Sequence, residues 1–148
     1  MSTYTQILYH IVFSTKNREC SLKSGGREAL LRYMWGVIKH KKSHLYRING
    51  VEDHVHILSS LHPTVTLADF IKDIKVSSSK WIKEDGVFPG FTGWQDGYGA
   101  FTHSWPEKGA LIEYIKDQAN HHATVSFRDE YRRLLEEAGI KFDERFLL

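Results

Sequence analysis

The sequence predicts an α+β fold of the βαββαβ, ferredoxin-like and RRM-like kind: an antiparallel sheet with helices on one face, followed by C-terminal helices. Three observations predict it. Stretches rich in β-branched and aromatic residues at 4–15, 44–51, 54–61 and 94–102 read as four strands. Apolar residues at helical spacing fill the intervals between the first and second strands and between the third and fourth. Two more helical stretches follow the last strand, which leaves the split βαβ order for the part before them. In that topology the first and third strands lie side by side at the centre of the sheet.

The chain has 148 residues, enough for one domain with a sizeable core, and no linker or repeat suggests a boundary within 1–148. Hydrophobic content of 41% and charged content of 26% read as soluble and globular. The single cysteine, Cys20, excludes an internal disulfide and a Cys-based zinc finger, and agrees with a reducing, cytoplasmic location. Met1-Ser2-Thr3-Tyr4 has no basic start before an apolar run, and no stretch is long enough to cross a membrane. A net charge of +2 permits nucleic-acid binding without requiring it, so the placement of the lysines matters more.

Residues 4–15 are apolar on both faces, as in a buried central strand. His10 shares a face there with Leu8 and Val12, either as a satisfied core histidine or as a site neighbour. Residues 27–42 carry Leu30, Met34, Val37 and Ile38 at helical spacing and close on Lys39-His40-Lys41-Lys42. Cations in a last turn favour the helix dipole, so Lys39, Lys41 and Lys42 have a structural reading beside a DNA-binding one.

After strands at 44–51 and 54–61, Thr66-Leu67-Ala68-Asp69 starts a helix with capping-box form. Leu67, Phe70, Ile71, Ile74, Ser78, Trp81 and Ile82 make its apolar face. Lys72, Lys75 and Lys83 form a second stripe, read as a solvated face or as a phosphate-binding one. A glycine-rich loop at 86–97 leads to the fourth strand. Ser104-Trp105-Pro106-Glu107 is another capping box and opens a helix to about His122. Ser126 caps the last helix, and Gly139 ends it in a left-handed conformation. The tail from Phe142 to Leu148 is apolar enough to dock.

The chemistry gathers at Asp53-His54-Val55-His56. On a strand His54 and His56 project from one face while Val55 and Ile57 project from the other. Two neutral imidazoles on a rigid support make half of a divalent-metal site, and a pair of exposed edge-strand histidines is the bland reading. On the helix at 105–122, Tyr114, Gln118 and His121 form one stripe beside a buried arc of Leu111, Ile112, Ile115 and Ala119. A boundary tyrosine with two polar neighbours explains that stripe as well, taken alone.

Together the two halves resemble the single-tyrosine HUH transposases of small insertion sequences, including the repeat-associated tyrosine transposases. The resemblance is carried by His54-Val55-His56 followed by Tyr114-Ile115-Lys116-Asp117-Gln118. Tyr9-His10-Ile11-Val12-Phe13-Ser14-Thr15-Lys16 is similar to the family's first strand. Trp94-Gln95-Asp96-Gly97-Tyr98-Gly99-Ala100-Phe101 is similar to the segment before its catalytic helix. His121-His122 and Phe142-Asp143-Glu144-Arg145-Phe146 extend the likeness over nearly the whole chain. His103 departs from it, standing where a small or apolar residue is expected.

The resemblance implies that His54 and His56 hold Mg²⁺ or Mn²⁺, with Gln118 as third ligand. Tyr114 would then cleave single-stranded DNA through a 5′-phosphotyrosine, with His10 and His121 as site neighbours. It also implies a homodimer that recognises DNA hairpins at element ends, in which the helix carrying Tyr114, after the glycine-rich stretch, acts in trans. Lys39, Lys41, Lys42, Lys72, Lys75 and Lys83 are the candidates for DNA contacts, with Arg128, Arg132 and Arg133 behind them. Rival readings are a relaxase or replication initiator, a domesticated repeat-associated HUH nuclease, a non-catalytic RNA- or single-stranded-DNA-binding module, and a zinc hydrolase using His54 and His56.

Overall fold

The structure, a computed structural model, describes residues 2–147. Met1 and Leu148, where the expectations for the N-terminus and the apolar tail end, lie outside the described residues. Four strands, β1 (Leu8–Ser14), β2 (His44–Gly50), β3 (His54–Ser60) and β4 (Gly99–His103), form one antiparallel sheet in the order β2-β3-β1-β4. The expected neighbours β1 and β3 are central. Val12 stands opposite His56 and His10 opposite Leu58.

The period-2 alternation of β1 and β3 splits the core in two. Ile11, Phe13, Val55 and Ile57 face helices α1 (Ser24–His40) and α2 (Leu67–Asp85), and all four are fully buried. On the opposite face Leu8 and Leu58 pack with Ile115, and Val12 packs with Phe101, Phe127 and Tyr131. Helices α3 (Lys108–Lys116), α4 (Gln118–His121) and α5 (Phe127–Glu137) supply that second cover. His10, His54 and His56 lie on this second face. They are buried between the sheet and the C-terminal helices rather than exposed on an edge.

Local signals set most boundaries. The Thr66 side chain accepts from Asp69 N, and Ser126 from Asp129 N. Both capping positions are those the sequence predicts. Gly139 adopts φ +69, as a helix stop requires. A Cβ at Gly99 would stand 2.6 Å from Tyr131 Cε1, so a bare glycine there lets α5 lie close against the sheet.

Three expectations are corrected. The first strand begins at Leu8, because residues 5–7 remain exposed. The fourth begins at Gly99, because Gly93 and Gly97 take φ of +138 and +88 and interrupt the extended run, leaving Trp94 as an isolated bridge to Thr15. The long helix at 105–122 is divided, with a break at Asp117 (φ −93, ψ +19). The break shifts the helical phase. Gln118 turns into the interior, while Ala119, expected in the buried arc, is exposed.

Candidate active site beneath the C-terminal helices

The pleat aims His54 and His56 at the underside of α4 and α5, and their neighbours fix the ring orientations. His54 Nδ1 lies 2.7 Å from Asp53 Oδ1, so Nδ1 carries the hydrogen and Nε2 turns inward. His56 Nδ1 meets His10 Nε2 at 2.8 Å, which also turns its Nε2 inward. His10 is therefore a site neighbour as well as a core histidine. His122 follows the same rule, with Nδ1 2.7 Å from the carbonyl of Val125. Phe127 stacks on His54 with centroids 4.1 Å apart and closes that side.

The inward nitrogens converge on Glu130, a fully buried carboxylate. Its two oxygens divide the surroundings. Oε1 faces imidazole nitrogens, at 2.9 Å from His122 Nε2, 3.1 Å from His56 Nε2 and 3.3 Å from His54 Nε2. Oε2 accepts the Tyr114 hydroxyl and lies 3.3 Å from Gln118 Nε2 and 3.2 Å from His121 Nε2. Gln118 in turn presents Oε1 to His54 Nε2 at 3.3 Å. Tyr114, Gln118 and His121 thus meet at one place despite the helix break, as their shared stripe suggests.

The electrostatics follow from burial and these partners. Desolvation lowers His10 to about 3, with repulsion from His56 and His103 adding to it. Desolvation also lowers His56 to about 4, against its hydrogen bond to Glu130 and with repulsion from His54 and His122 adding to the fall. Burial opposes charge on His54 too, but hydrogen bonds to Asp53 and Glu130 outweigh it and raise its pKa. Burial would raise the Glu130 carboxyl, yet hydrogen bonds from His122, His54 and His56 hold it well below the usual carboxylate range. Burial, and then the Glu130 charge, push the Tyr114 hydroxyl well up.

The donor set suits a divalent metal. His54, His56, His122 and Glu130 each offer a ligand atom, and these atoms all lie within 4.8 Å of one another. Since Nδ1 of His54 and of His122 already faces an oxygen acceptor, each Nε2 offers a lone pair toward a carboxylate oxygen. Lone pairs converging in that way call for a cation, either protons or a metal. Orienting partners behind metal-binding imidazoles are a usual arrangement.

Glu130, His122 and Asp53 were not among the site residues expected from the sequence. Glu130 had a visible signal: it interrupts the apolar stripe Phe127, Tyr131, Leu134, Leu135 on one face of α5. A carboxylate in such a stripe must have buried partners.

The lysines divide. Lys75 turns its ammonium onto the carbonyls of Gln95 and Gly97, at 2.8 and 2.6 Å, and stands over the Phe13 ring. It fastens the glycine-rich loop, and partial burial lowers its pKa, so a tethering role stands beside the DNA contact expected of it. Lys41 is paired with Asp73, and Lys39 lies over the Trp35 ring. Lys42 is exposed beyond the end of α1 with φ +56. Lys72 and Lys83 remain exposed and line an open groove with Lys80, Trp94 and Tyr98. His103, the departure from the expected pattern, packs 6.0 Å from His10 and reaches Glu107 at 3.3 Å.

Residues 3–118 match the family model described as IS200-like transposase. A candidate transposase from Deinococcus radiodurans R1 shares the fold with a TM-score of 0.63 and 22% identity, over 80% of this chain and 95% of that one. A REP-associated tyrosine transposase bound to a REP hairpin has a TM-score of 0.63 and 15% identity, over 84% of this chain and 76% of that one. No curated protein is a significant match.

Proposed function

The chain belongs to the IS200-like transposase family, and on that premise we propose that it cuts and rejoins single-stranded DNA by transesterification through Tyr114. One observation carries the reading. The Tyr114 hydroxyl donates to Glu130 Oε2, while Oε1 of the same carboxylate faces Nε2 of His54 and His56.

His54, His56 and Glu130 would hold the metal, with His122 and Gln118 completing the set. A bound Mg²⁺ or Mn²⁺ supplies charge neutralisation at the scissile phosphate, and three imidazoles make Mn²⁺ the better fit. The protein's own groups do the rest. Asp53 and His10 fix the imidazoles, and Gln118 ties Tyr114, His54 and Glu130 into one unit. Glu130 is placed to receive the phenolic proton, because the hydroxyl already donates to it. A tyrosine of raised pKa needs such an acceptor in order to attack. The covalent 5′-phosphotyrosine keeps the phosphodiester energy for rejoining.

Family membership supports DNA as the partner, and the hairpin held by the REP-associated neighbour supports hairpin ends as the target. The exposed Lys72, Lys80 and Lys83 are the proposed backbone contacts. Residues 1–148 act as one HUH domain in this reading, since Glu130 of α5 completes the site. Each chain carries its own Tyr114 beside its own histidines, so we favour attack within one subunit over the exchange the resemblance implies. The homodimer itself is compatible with either. No helix among the described residues is long and apolar enough to cross a membrane.

The test is incubation with labelled single-stranded hairpin DNA and Mn²⁺, followed by a denaturing gel. A protein–DNA band that vanishes in Tyr114→Phe is expected. Cleavage without any covalent band, or a band that survives in Tyr114→Phe, overturns the reading.

A further inference from the structure

We propose that Arg133 is a catalytic residue whose guanidinium grips the non-bridging oxygens of the scissile phosphate as Tyr114 attacks. The proposal rests on the reading of Tyr114 as nucleophile and deepens it.

Arg133 stands three residues beyond Glu130 on α5, so the two side chains leave the helix on neighbouring lines of one face. Its Nη2 lies 3.3 Å from the Tyr114 hydroxyl oxygen, and its guanidinium carbon 5.8 Å from the Tyr114 ring centroid. The hydroxyl oxygen is therefore bracketed. Glu130, fully buried, takes its hydrogen on the inner side, and Arg133, with a side chain 48% exposed, donates to it from the solvent side. The inner side is filled by Glu130 and by His56 and His10, whose ring centroids lie 5.7 and 6.2 Å from that of Tyr114. The solvent side of the hydroxyl, open to a DNA strand, is flanked by Arg133 and by partly exposed His121, whose ring centroid lies 5.6 Å from that of Tyr114.

Geometry then leaves little freedom. A phosphorus atom poised for attack sits about 3–3.5 Å from the attacking oxygen, and its non-bridging oxygens surround it. A guanidinium already 3.3 Å from that same attacking oxygen is within hydrogen-bond reach of those oxygens. Among the described residues its one ion pair is with Glu137 at 3.6 Å, an exposed pair of the kind worth little, which a phosphate can replace. The planar fork of arginine matches two phosphate oxygens at once, as an ammonium cannot.

The step balances. The bond from Tyr114 Oη to phosphorus forms and the bond from phosphorus to the 3′-oxygen breaks. The phenolic proton goes to Glu130, and the departing 3′-oxygen takes a proton from water. Charge accumulates on the non-bridging oxygens in between, where Arg133 donates. In the reverse step the same fork holds the phosphotyrosine while a 3′-hydroxyl attacks it.

The probe is a set of fluorescent single-stranded oligonucleotides tiling the DNA that flanks the gene, incubated with the full chain and Mn²⁺. Once the cut linkage is mapped, it is made both as the phosphodiester and as the neutral methylphosphonate. On the phosphodiester, Arg133→Ala and Arg133→Gln should form adduct at least about 100-fold more slowly than the wild-type protein, with unchanged melting temperature. Arg133→Lys should recover only part of the rate, and millimolar guanidinium ion should restore part of it to Arg133→Ala. On the methylphosphonate, wild type and Arg133→Ala should react at similar rates, because the charge that Arg133 serves has been removed. A structural role for Arg133 would leave the gap the same on both linkages, and that result, or a phosphodiester gap within about twofold, overturns the proposal. No adduct from the wild-type protein on any oligonucleotide overturns the Tyr114 reading and this proposal with it.

Discussion

Glu130 reaches His56 across the covered face of the sheet, its Oε1 lying 3.1 Å from His56 Nε2. This contact ties α5, the last long helix, to the central strand. It makes a residue outside the family-matched span 3–118 part of the candidate site. The carboxylate is fully buried yet accepts hydrogen bonds from the Tyr114 hydroxyl, the Gln118 amide and the surrounding imidazoles, which is the condition under which a buried charge is tolerated.

Glu130→Gln keeps the shape and removes the charge. It should weaken Mn²⁺ binding, read by calorimetry, by at least about tenfold, since even outer-shell partners of metal ligands carry that much. Glu130→Ala should in addition destabilise the metal-free chain by about 1–3 kcal/mol, because buried imidazoles lose their partner. Unchanged Mn²⁺ affinity in Glu130→Gln would remove Glu130 from the ligand set.

Lys72 and Lys83 are free of the loop carbonyls that occupy Lys75, so the expectation for DNA contact is tested on them first. Lys72→Ala with Lys83→Ala should weaken hairpin binding and reduce the salt slope by about one to two counterions. Lys75→Ala should instead lower the melting temperature with little change in slope, because it releases the carbonyls of Gln95 and Gly97. A salt slope that responds to Lys75 and ignores the other pair would reverse this assignment.

Glu107 caps the segment that leads into the Tyr114 helix. The Ser104 hydroxyl at 2.7 Å, the Ser104 backbone N–H at 3.1 Å and His103 lower its pKa from 4.5 to about 2. A carboxylate depressed in the folded state stabilises fully above its unfolded pKa, and loses that contribution as pH falls toward the folded one. Glu107→Gln should therefore melt below the wild-type protein at pH 6, with the gap closing between about pH 4.5 and 2. A gap that stays constant with pH would mean that the cap acts through shape alone.

Much of this site was legible in the sequence. The alternation of His54-Val55-His56 fixed the shared face, and the spacing of Tyr114, Gln118 and His121 fixed the stripe that meets it. The capping boxes at Thr66 and Ser104 located two helix starts. The rest depends on events that periodicity does not record. The break at Asp117 turned Gln118 inward and Ala119 out. The folding of α5 back over the sheet, against the bare Gly99, brought Glu130 to His56. The Lys75 tether required knowing where the loop carbonyls fall. Glu130 alone among these left a trace, as a charge inside an apolar stripe.

The last prediction concerns which subunit supplies the nucleophile. For Tyr114 to serve a partner, α3 and α4 would have to leave their own sheet. Asn49 of β2 holds that segment by donating to the carbonyls of Ile115 and Lys116 at 2.9 and 3.1 Å. Ile115 is fully buried against Leu8 and Leu58, and Gln118 is fully buried beside His54. Departure would expose both side chains and break those bonds. The glycine-rich stretch offers no hinge, because Lys75 fastens it and β4 separates it from α3. Tyr114→Phe should therefore form no adduct, and neither should the double variant His54→Ala/His56→Ala. A verified heterodimer of the two should also form none, since each chain then lacks one half of its own site. Exchange between subunits predicts the opposite. One composite site would join intact histidines from the Tyr114→Phe chain to the intact Tyr114 of the other, and the adduct would sit on the histidine-deficient chain. A band at that position, under conditions where wild-type dimers react, would show that the helix crosses and that attack within one subunit is wrong.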